Sequence, residues 1–253
     1  MSTSGAHIGP EPVARVPWSD VHDLFSREHK QGQHVAIVGT NGSGKTTLGI
    51  ELCKMVGART ATDGRPSRVV VLGYKPRDKT LRGLQSQGWK LIKRWPPSYG
   101  EEHVIVWPKY GDPETAPARQ SRVFRALLKR IYSEGGQTVF IDEMAKFDRP
   151  PPEGFGLRAL TSEYWTTARA LDLTLIGATQ RPREVSRGMW SEPSFVFAFR
   201  TEDTDDVKRV VEIAGRHKLA AIEAIDALGD HEFVMIVRRG HNRGIYVSQV
   251  DSS

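Results

Sequence analysis

Short apolar runs alternate along the chain with segments of helical period. Residues 34–38, His-Val-Ala-Ile-Val, form a first run that leads straight into a glycine-rich loop. Residues 68–72, Arg-Val-Val-Val-Leu, form a second, whose unbroken β-branched character suits a strand covered on both faces. Further strands are expected at 103–107, stopped by Pro108, and at 138–141, 173–176 and 194–199. Between them, helices are expected at 18–29, from near Lys45, at 79–87, from Pro117 to the break at Gly135-Gly136, and at 157–170. Thr204 is expected to cap a helix with Asp205 and Asp206 in its first turn and Gly215 at its close, and another helix covers 218–228. The runs 232–238 and 244–250 read as a hairpin.

Strands that alternate with helices need crossover connections, so the expected class is α/β: a mainly parallel sheet flanked by helices, extended by a C-terminal β-hairpin. The division expected is a flexible leader at 1–17 and a single domain at 18–253. Within that domain, 18–32 is an N-terminal helical segment, 33–215 the core, and 216–253 a C-terminal helix and hairpin.

Composition narrows this picture little. The 253 residues are enough for a large core, and no apolar run approaches the ~20 residues that span a bilayer, so no membrane insertion is expected. The start lacks a signal-peptide pattern, which predicts a cytoplasmic protein, in the host cytoplasm if the chain is viral or from a mobile element. The single cysteine, Cys53, lies in an apolar helical pattern and reads as a buried thiol, which excludes a disulfide framework. A net charge of +6 favours polyanionic partners but does not identify one.

The glycine loop carries the strongest chemical signal. Gly39-Thr40-Asn41-Gly42-Ser43-Gly44-Lys45-Thr46 matches G-x4-G-K-[ST] between a strand and a helix, and Thr47 follows it. Glycines let successive N–H groups turn inward, and the helix presents its positive end to phosphate oxygens. Lys45 adds a charge for the β- and γ-phosphates, and Thr46 a hydroxyl for Mg2+. Hydrolysis of ATP also needs a metal carboxylate and a base for water. Asp142 and Glu143, at the end of the apolar run 139–141, are assigned these roles. Gln180 ends the run that follows, within Ala178-Thr179-Gln180-Arg181-Pro182, where a polar group between the two elements can sense the γ-phosphate or orient water.

The order of these motifs resembles the FtsK/HerA superfamily of ring-forming, DNA-pumping P-loop ATPases. The resemblance rests on the phosphate loop, the strand ending Gly73-Tyr74-Lys75-Pro76, the Asp142-Glu143 pair and Ala-Thr-Gln-Arg-Pro, and covers roughly residues 33–215. It implies a RecA-like core, ATP and Mg2+ as cofactors, a homo-oligomeric ring of five or six subunits, and DNA as the substrate moved. It also implies phosphate binding by residues 39–45, metal binding by Thr46 and Asp142, water activation by Glu143 and sensing by Gln180. The family's usual Asp-Pro-Lys appears here as Gly73-Tyr74-Lys75-Pro76, so any role for an acid there is absent. The compact length fits a genome-packaging or mobile-element ATPase, with portal, capsid or mobile-element proteins as further partners.

Ring motors use an arginine from a neighbouring subunit to stabilise transferred charge. Arg200, at the end of run 195–199, is the favoured candidate, ahead of Arg187 and Arg169. The segment 146–156 and the basic turn 238–243 are candidate DNA contacts. Two other readings compete: a P-loop ATPase that powers protein secretion or virion assembly without moving DNA, and a small-molecule kinase, against which the Asp-Glu pair and Gln180 weigh.

Overall fold

Each buried apolar run becomes a strand of one sheet, and alternate residues of each strand supply the cores on its two faces. The computed structural model describes residues 13–251 other than 58–63, 65–66, 94, 97–100 and 202. In chain order the elements are α1 (Trp18–Glu28), β1 (Val35–Val38), α2 (Lys45–Gly57), β2 (Arg68–Leu72), α3 (Lys79–Ser86), β3 (Lys90–Ile92), β4 (His103–Val106), α4 (Ala116–Glu134) and β5 (Gln137–Ile141). They continue with α5 (Met144–Asp148), α6 (Arg158–Thr167), β6 (Thr174–Thr179), α7 (Gly188–Ser191), β7 (Phe195–Phe199), α8 (Thr204–Val211), α9 (Lys218–Asp226), β8 (Glu232–Val237) and β9 (Gly244–Gln249).

Among the described residues nine strands lie in the order β3-β4-β2-β5-β6-β1-β7-β8-β9. The first seven are parallel to their neighbours, and β8 and β9 add an antiparallel hairpin at the β7 edge. Ala36, Val38, Val70, Leu72, Val139 and Ile141 face α4, α5, α6, α8 and α9. Val35, Ile37, Val69, Val71 and Phe140 face α1, α2 and α3. Each of the larger side chains, Val, Leu, Ile or Phe, contributes about 1.5–3 kcal/mol by leaving water. Cys53 is fully buried under the second face, and burial pushes its thiol well above the usual range, as an inert structural cysteine requires.

Several local expectations change. Asp203, not Thr204, caps α8: its carboxylate accepts from the N–H groups of Asp205 and Asp206, because Thr204 already lies within the helix. The α-helix ends at Val211 and continues as a 3-10 segment, Glu212–His217, rather than running to Gly215. The expected helix 157–170 is α6 followed by a 3-10 turn, Ala168–Leu171. The short elements β3, α5 and α7 are additions that periodicity does not reveal, since none spans more than five residues. Residues 1–12 of the expected leader lie outside the described residues. Residues 13–17 run beside β9, where Val16 N–H donates to Val247 O at 2.9 Å and Val247 N–H to Ala14 O at 3.0 Å.

One topological feature positions everything that follows. Strand β6 lies between β5 and β1, with Val38 opposite Thr179 and Ile141 opposite Gly177. The residues just after β1, β5 and β6 therefore share one end of the sheet, where ligands collect in open α/β folds.

Candidate active site

β1 ends at Val38, and the loop leaves the sheet at Gly39, whose N–H donates to Thr179 O at 3.3 Å. A Cβ at Gly39 would stand 2.6 Å from Cβ of Phe199, so only glycine lets the loop rest on the β7 end. Gly42 and Gly44 have φ of 78° and 106°, a conformation that side chains disfavour and that turns N–H groups toward the loop centre. The helix α2 begins at Lys45 and carries no acidic residue in its first turn, which leaves its positive end available to an anion.

Lys45 is buried, and its Nζ donates to Thr40 O at 2.5 Å. Burial lowers the Lys45 ammonium from its ordinary range and Lys75 adds to this, while Asp142 and Glu143 oppose it. An arriving polyphosphate would act in the opposite direction and favour the ammonium.

Across the mouth of the loop stands Asp142, the residue after β5. Its Oδ1 accepts from Thr46 Oγ1 at 2.6 Å and its Oδ2 from Lys75 Nζ at 3.0 Å. Burial alone would lower Lys75, but the paired Asp142 carboxylate outweighs it and leaves the ammonium raised. Thr46 and Asp142 form an oxygen-only pair, the donor chemistry that suits Mg2+, which keeps several waters and completes its shell with phosphate oxygens. Among the described residues no cluster of three His, Cys, Asp or Glu side chains could cage a metal with protein ligands alone.

Glu143 follows and caps α5. Its Oε1 accepts from Thr179 Oγ1 at 2.8 Å and from Ala145 N–H at 3.3 Å, and its Oε2 from Gln180 N–H at 3.3 Å. These contacts join the ends of β5 and β6 and aim the carboxylate into a cavity of about 420 Å³. The phosphate loop, Lys75, Asp142, Glu143 and Gln180 all line that cavity.

The remaining expected residues fall in different places. Arg200 is exposed at the end of β7 and lines a neighbouring cavity of about 300 Å³ with Thr40, Asn41 and Ser43 of its own phosphate loop. Arg187 is exposed just before α7, and Arg169 lies in the 3-10 turn after α6, at the opposite end of the sheet. The segment 146–156 is folded back on itself: Lys146 donates to Glu153 O at 2.7 Å, and Arg149 pairs with Glu184. In the turn 238–243, Arg238 donates to the carbonyls of Trp190, Ser191 and Pro193, so it serves the fold.

Sequence reasoning missed four participants. Lys75 and Thr179 sit inside recognised motifs, and only their contacts reveal what they hold. Phe199 reads as an ordinary core residue. His231, whose backbone adopts φ 61° and whose Nδ1 lies 3.3 Å from Ser43 O, reaches the loop from the β8 edge with no sequence signal at all.

No family model matches the sequence, and no curated protein sequence matches it. Solved structures do. The genome packaging NTPase B204 of Sulfolobus turreted icosahedral virus 2, in complex with sulfate, aligns with a TM-score of 0.62 at 14% identity over 89% of this chain and 100% of that one. VirB4 of Thermoanaerobacter pseudethanolicus aligns with a TM-score of 0.61 at 9% identity, over 87% and 89% of the two chains. The cytoplasmic domain of the type VII secretion ATPase EccC of Thermomonospora curvata aligns with a TM-score of 0.53 at 14% identity, over 86% of this chain and 25% of that one. Together with the seven parallel strands and the added antiparallel hairpin, these likenesses establish the fold of the chain as that of a RecA-like P-loop NTPase.

Proposed function

We propose that this chain is an ATP-hydrolysing, homo-oligomeric motor that moves DNA, most simply to package it. The observation that carries the reading is the convergence of a phosphate loop with two differently held carboxylates at one end of the sheet. Asp142 faces Thr46 and Lys75, where a hydrated cation would sit, and Glu143 is held apart from it by Thr179 and the Gln180 N–H. A site that only bound nucleotide would not need the second carboxylate.

In this reading the loop N–H groups, Lys45 and the α2 N-terminus hold the β- and γ-phosphates. Thr46 and Asp142 would hold Mg2+, which when bound would supply charge neutralisation on the phosphates. Glu143 takes the proton of the attacking water and Gln180 orients that water. Lys75, which holds Asp142 at the cavity wall, would present its ammonium to the γ-phosphate. Arg200 serves a neighbouring subunit's site. The net charge of +6 and the likeness to a genome packaging NTPase support DNA as the substrate.

A second reading, an ATPase that drives protein export or virion assembly, is supported by the likeness to EccC. It shares the hydrolysis site and differs in its partner. ATP turnover measured with and without duplex and single-stranded DNA separates the two. The DNA motor predicts stimulation by at least one form, and turnover indifferent to every DNA rejects it in favour of a protein partner. Imaging the particle with a slowly hydrolysed ATP analogue then tests the ring of five or six subunits.

A further inference from the structure

At the end of the sheet opposite the phosphate loop lies a cavity of about 230 Å³ that the hydrolysis site leaves unexplained. His34, Trp165, Arg169, Glu192, Ser194 and Arg239 line it. It is built where the strands begin: His34 precedes β1, Ser194 precedes β7, and Arg239 follows β8, which runs the other way. Five residues of extended chain separate His34 from Gly39, so the cavity stands roughly 17 Å from the phosphate loop.

Two polar atoms of residues that line it, Ser194 Oγ and Trp165 Nε1, are buried and have no hydrogen-bond partner among the described residues. The indole N–H can only donate. His34 Nδ1 accepts from Leu175 N–H at 3.1 Å, which places the proton of the neutral ring on Nε2. That N–H is turned to the backbone of Trp165 and Tyr164, so His34 walls the cavity without serving it as a donor. Burial, and then the charges of Arg169 and Arg239, lower His34 to about 4, so the ring is neutral at physiological pH. Buried donors left unmet cost about 1–3 kcal/mol each, so a cavity with two beside it calls for an acceptor.

The charges at the mouth favour the same occupant. Arg169 is exposed, and Arg239 is 38% exposed and 3.9 Å from Glu192, whose other oxygen accepts from Ser191 Oγ at 2.9 Å. Two guanidinium groups face one partly engaged carboxylate. Arg238 anchors the wall by donating to the carbonyls of Trp190, Ser191 and Pro193, and its N–H bonds Ser194 O at 2.9 Å, so the turn that carries Ser194 is fixed before anything binds.

We propose that this cavity is a second phosphate site, in which Ser194 and Trp165 donate to a tetrahedral phosphate and Arg169 and Arg239 close over it. The phosphate is either free inorganic phosphate or a backbone group of nucleic acid; both present the same oxygens. The site does not depend on the hydrolysis reading, because none of its residues belongs to the phosphate loop.

The test is a titration of uniformly 15N-labelled protein with inorganic phosphate, with the phosphate loop saturated by AMP-PNP and ionic strength held with chloride. The probe is the Trp165 indole resonance, assigned with Trp165→Phe. A saturable shift is expected. Replacing both charges, in R169Q/R239Q, should weaken it at least ~10-fold, since each removes charge-assisted hydrogen bonds. Both arginines reach solvent, so this variant keeps the fold; Ser194→Ala gives a second, uncharged test and should also weaken binding. A short DNA duplex that produces the same shift and is displaced by phosphate identifies the backbone as the source, whereas a shift with phosphate alone identifies the free ion. No shift with either, or a shift unchanged in R169Q/R239Q, overturns the proposal and leaves water as the occupant.

Discussion

Glu143 accepts three hydrogen bonds and still faces the cavity, so at the residue scale its geometry and its basicity can be tested separately. Glu143→Gln keeps the shape and removes the base; turnover should fall by about 10^2 to 10^4. ATP affinity should stay within a few-fold. Phosphate release and a fluorescent-nucleotide titration check both, and a variant that still turns over removes Glu143 from the role. Thr179 is buried, and its hydroxyl donates to Glu143 Oε1 while accepting from Arg181 N–H at 3.0 Å. Thr179→Val deletes that hydroxyl at nearly constant volume. It should lower kcat with little change in KM, while Thr179→Ser restores kcat; a variant with full kcat shows that Glu143 needs no such support. Lys75 pairs with Asp142 at 44% exposure, so its worth to stability is small, about 0–1 kcal/mol.

At the element scale, the proposed hydrolysis site depends on how closely α2 lies on β5. Gly49 makes that approach possible: a Cβ there would stand 2.4 Å from Cζ of Phe140, the residue two before Asp142. Gly49→Ala should therefore cost roughly 1–3 kcal/mol in chemical denaturation and disturb the Thr46–Asp142 contact as well. Wild-type stability in that variant would mean that the ring of Phe140 gives way freely. The same scale shows what the sequence disclosed. The strands other than β3 were legible as β-like runs, and the phosphate loop, Asp142, Glu143 and Gln180 because each follows directly on such a run, whereas the three residues of β3 are too few to show a pattern. Asp203 was passed over as a cap because Thr204 beside it is an equally good capping residue, and only the backbone chooses between them. His231 and Lys75 were illegible as site residues because strand order brings them to the loop, and sequence spacing carries no record of strand order. His34 adds a pH dependence on the far side of the sheet. Its folded pKa of about 4 lies below the ordinary 6.5, so the unfolded chain binds the extra proton first. Its share of stability, on the order of 3 kcal/mol, is present above pH 6.5, is lost as pH falls from 6.5 toward 4, and does not change further below that. Denaturation midpoints for wild type and His34→Gln across that window check this, and parallel curves would exclude it.

For the whole molecule, the question is whether a single chain holds a complete site. Arg200 lies on the outer side of its own phosphate loop, next to the cavity that Thr40, Asn41 and Ser43 line, rather than on the wall that holds Glu143. That position suits an arginine presented at a subunit boundary, where head-to-tail contacts of a ring place one copy's edge against another's site. Arg200→Ala should then reduce turnover by about 10^3 or more, as the loss of an arginine finger does. A mixing experiment assigns the direction. Subunits with Arg200→Ala keep the base but lack the finger; subunits with Glu143→Gln keep the finger but lack the base. Each alone should turn over at its own low level. If the arginine acts across the boundary, random assembly of equal amounts pairs an intact base with an intact finger at about a quarter of the interfaces, and turnover recovers to that order. If it acts on its own phosphate loop, no mixture contains a subunit with both groups, and turnover stays at the level of the separate variants. Recovery therefore ties hydrolysis to assembly, and its absence places Arg200 within its own subunit's site.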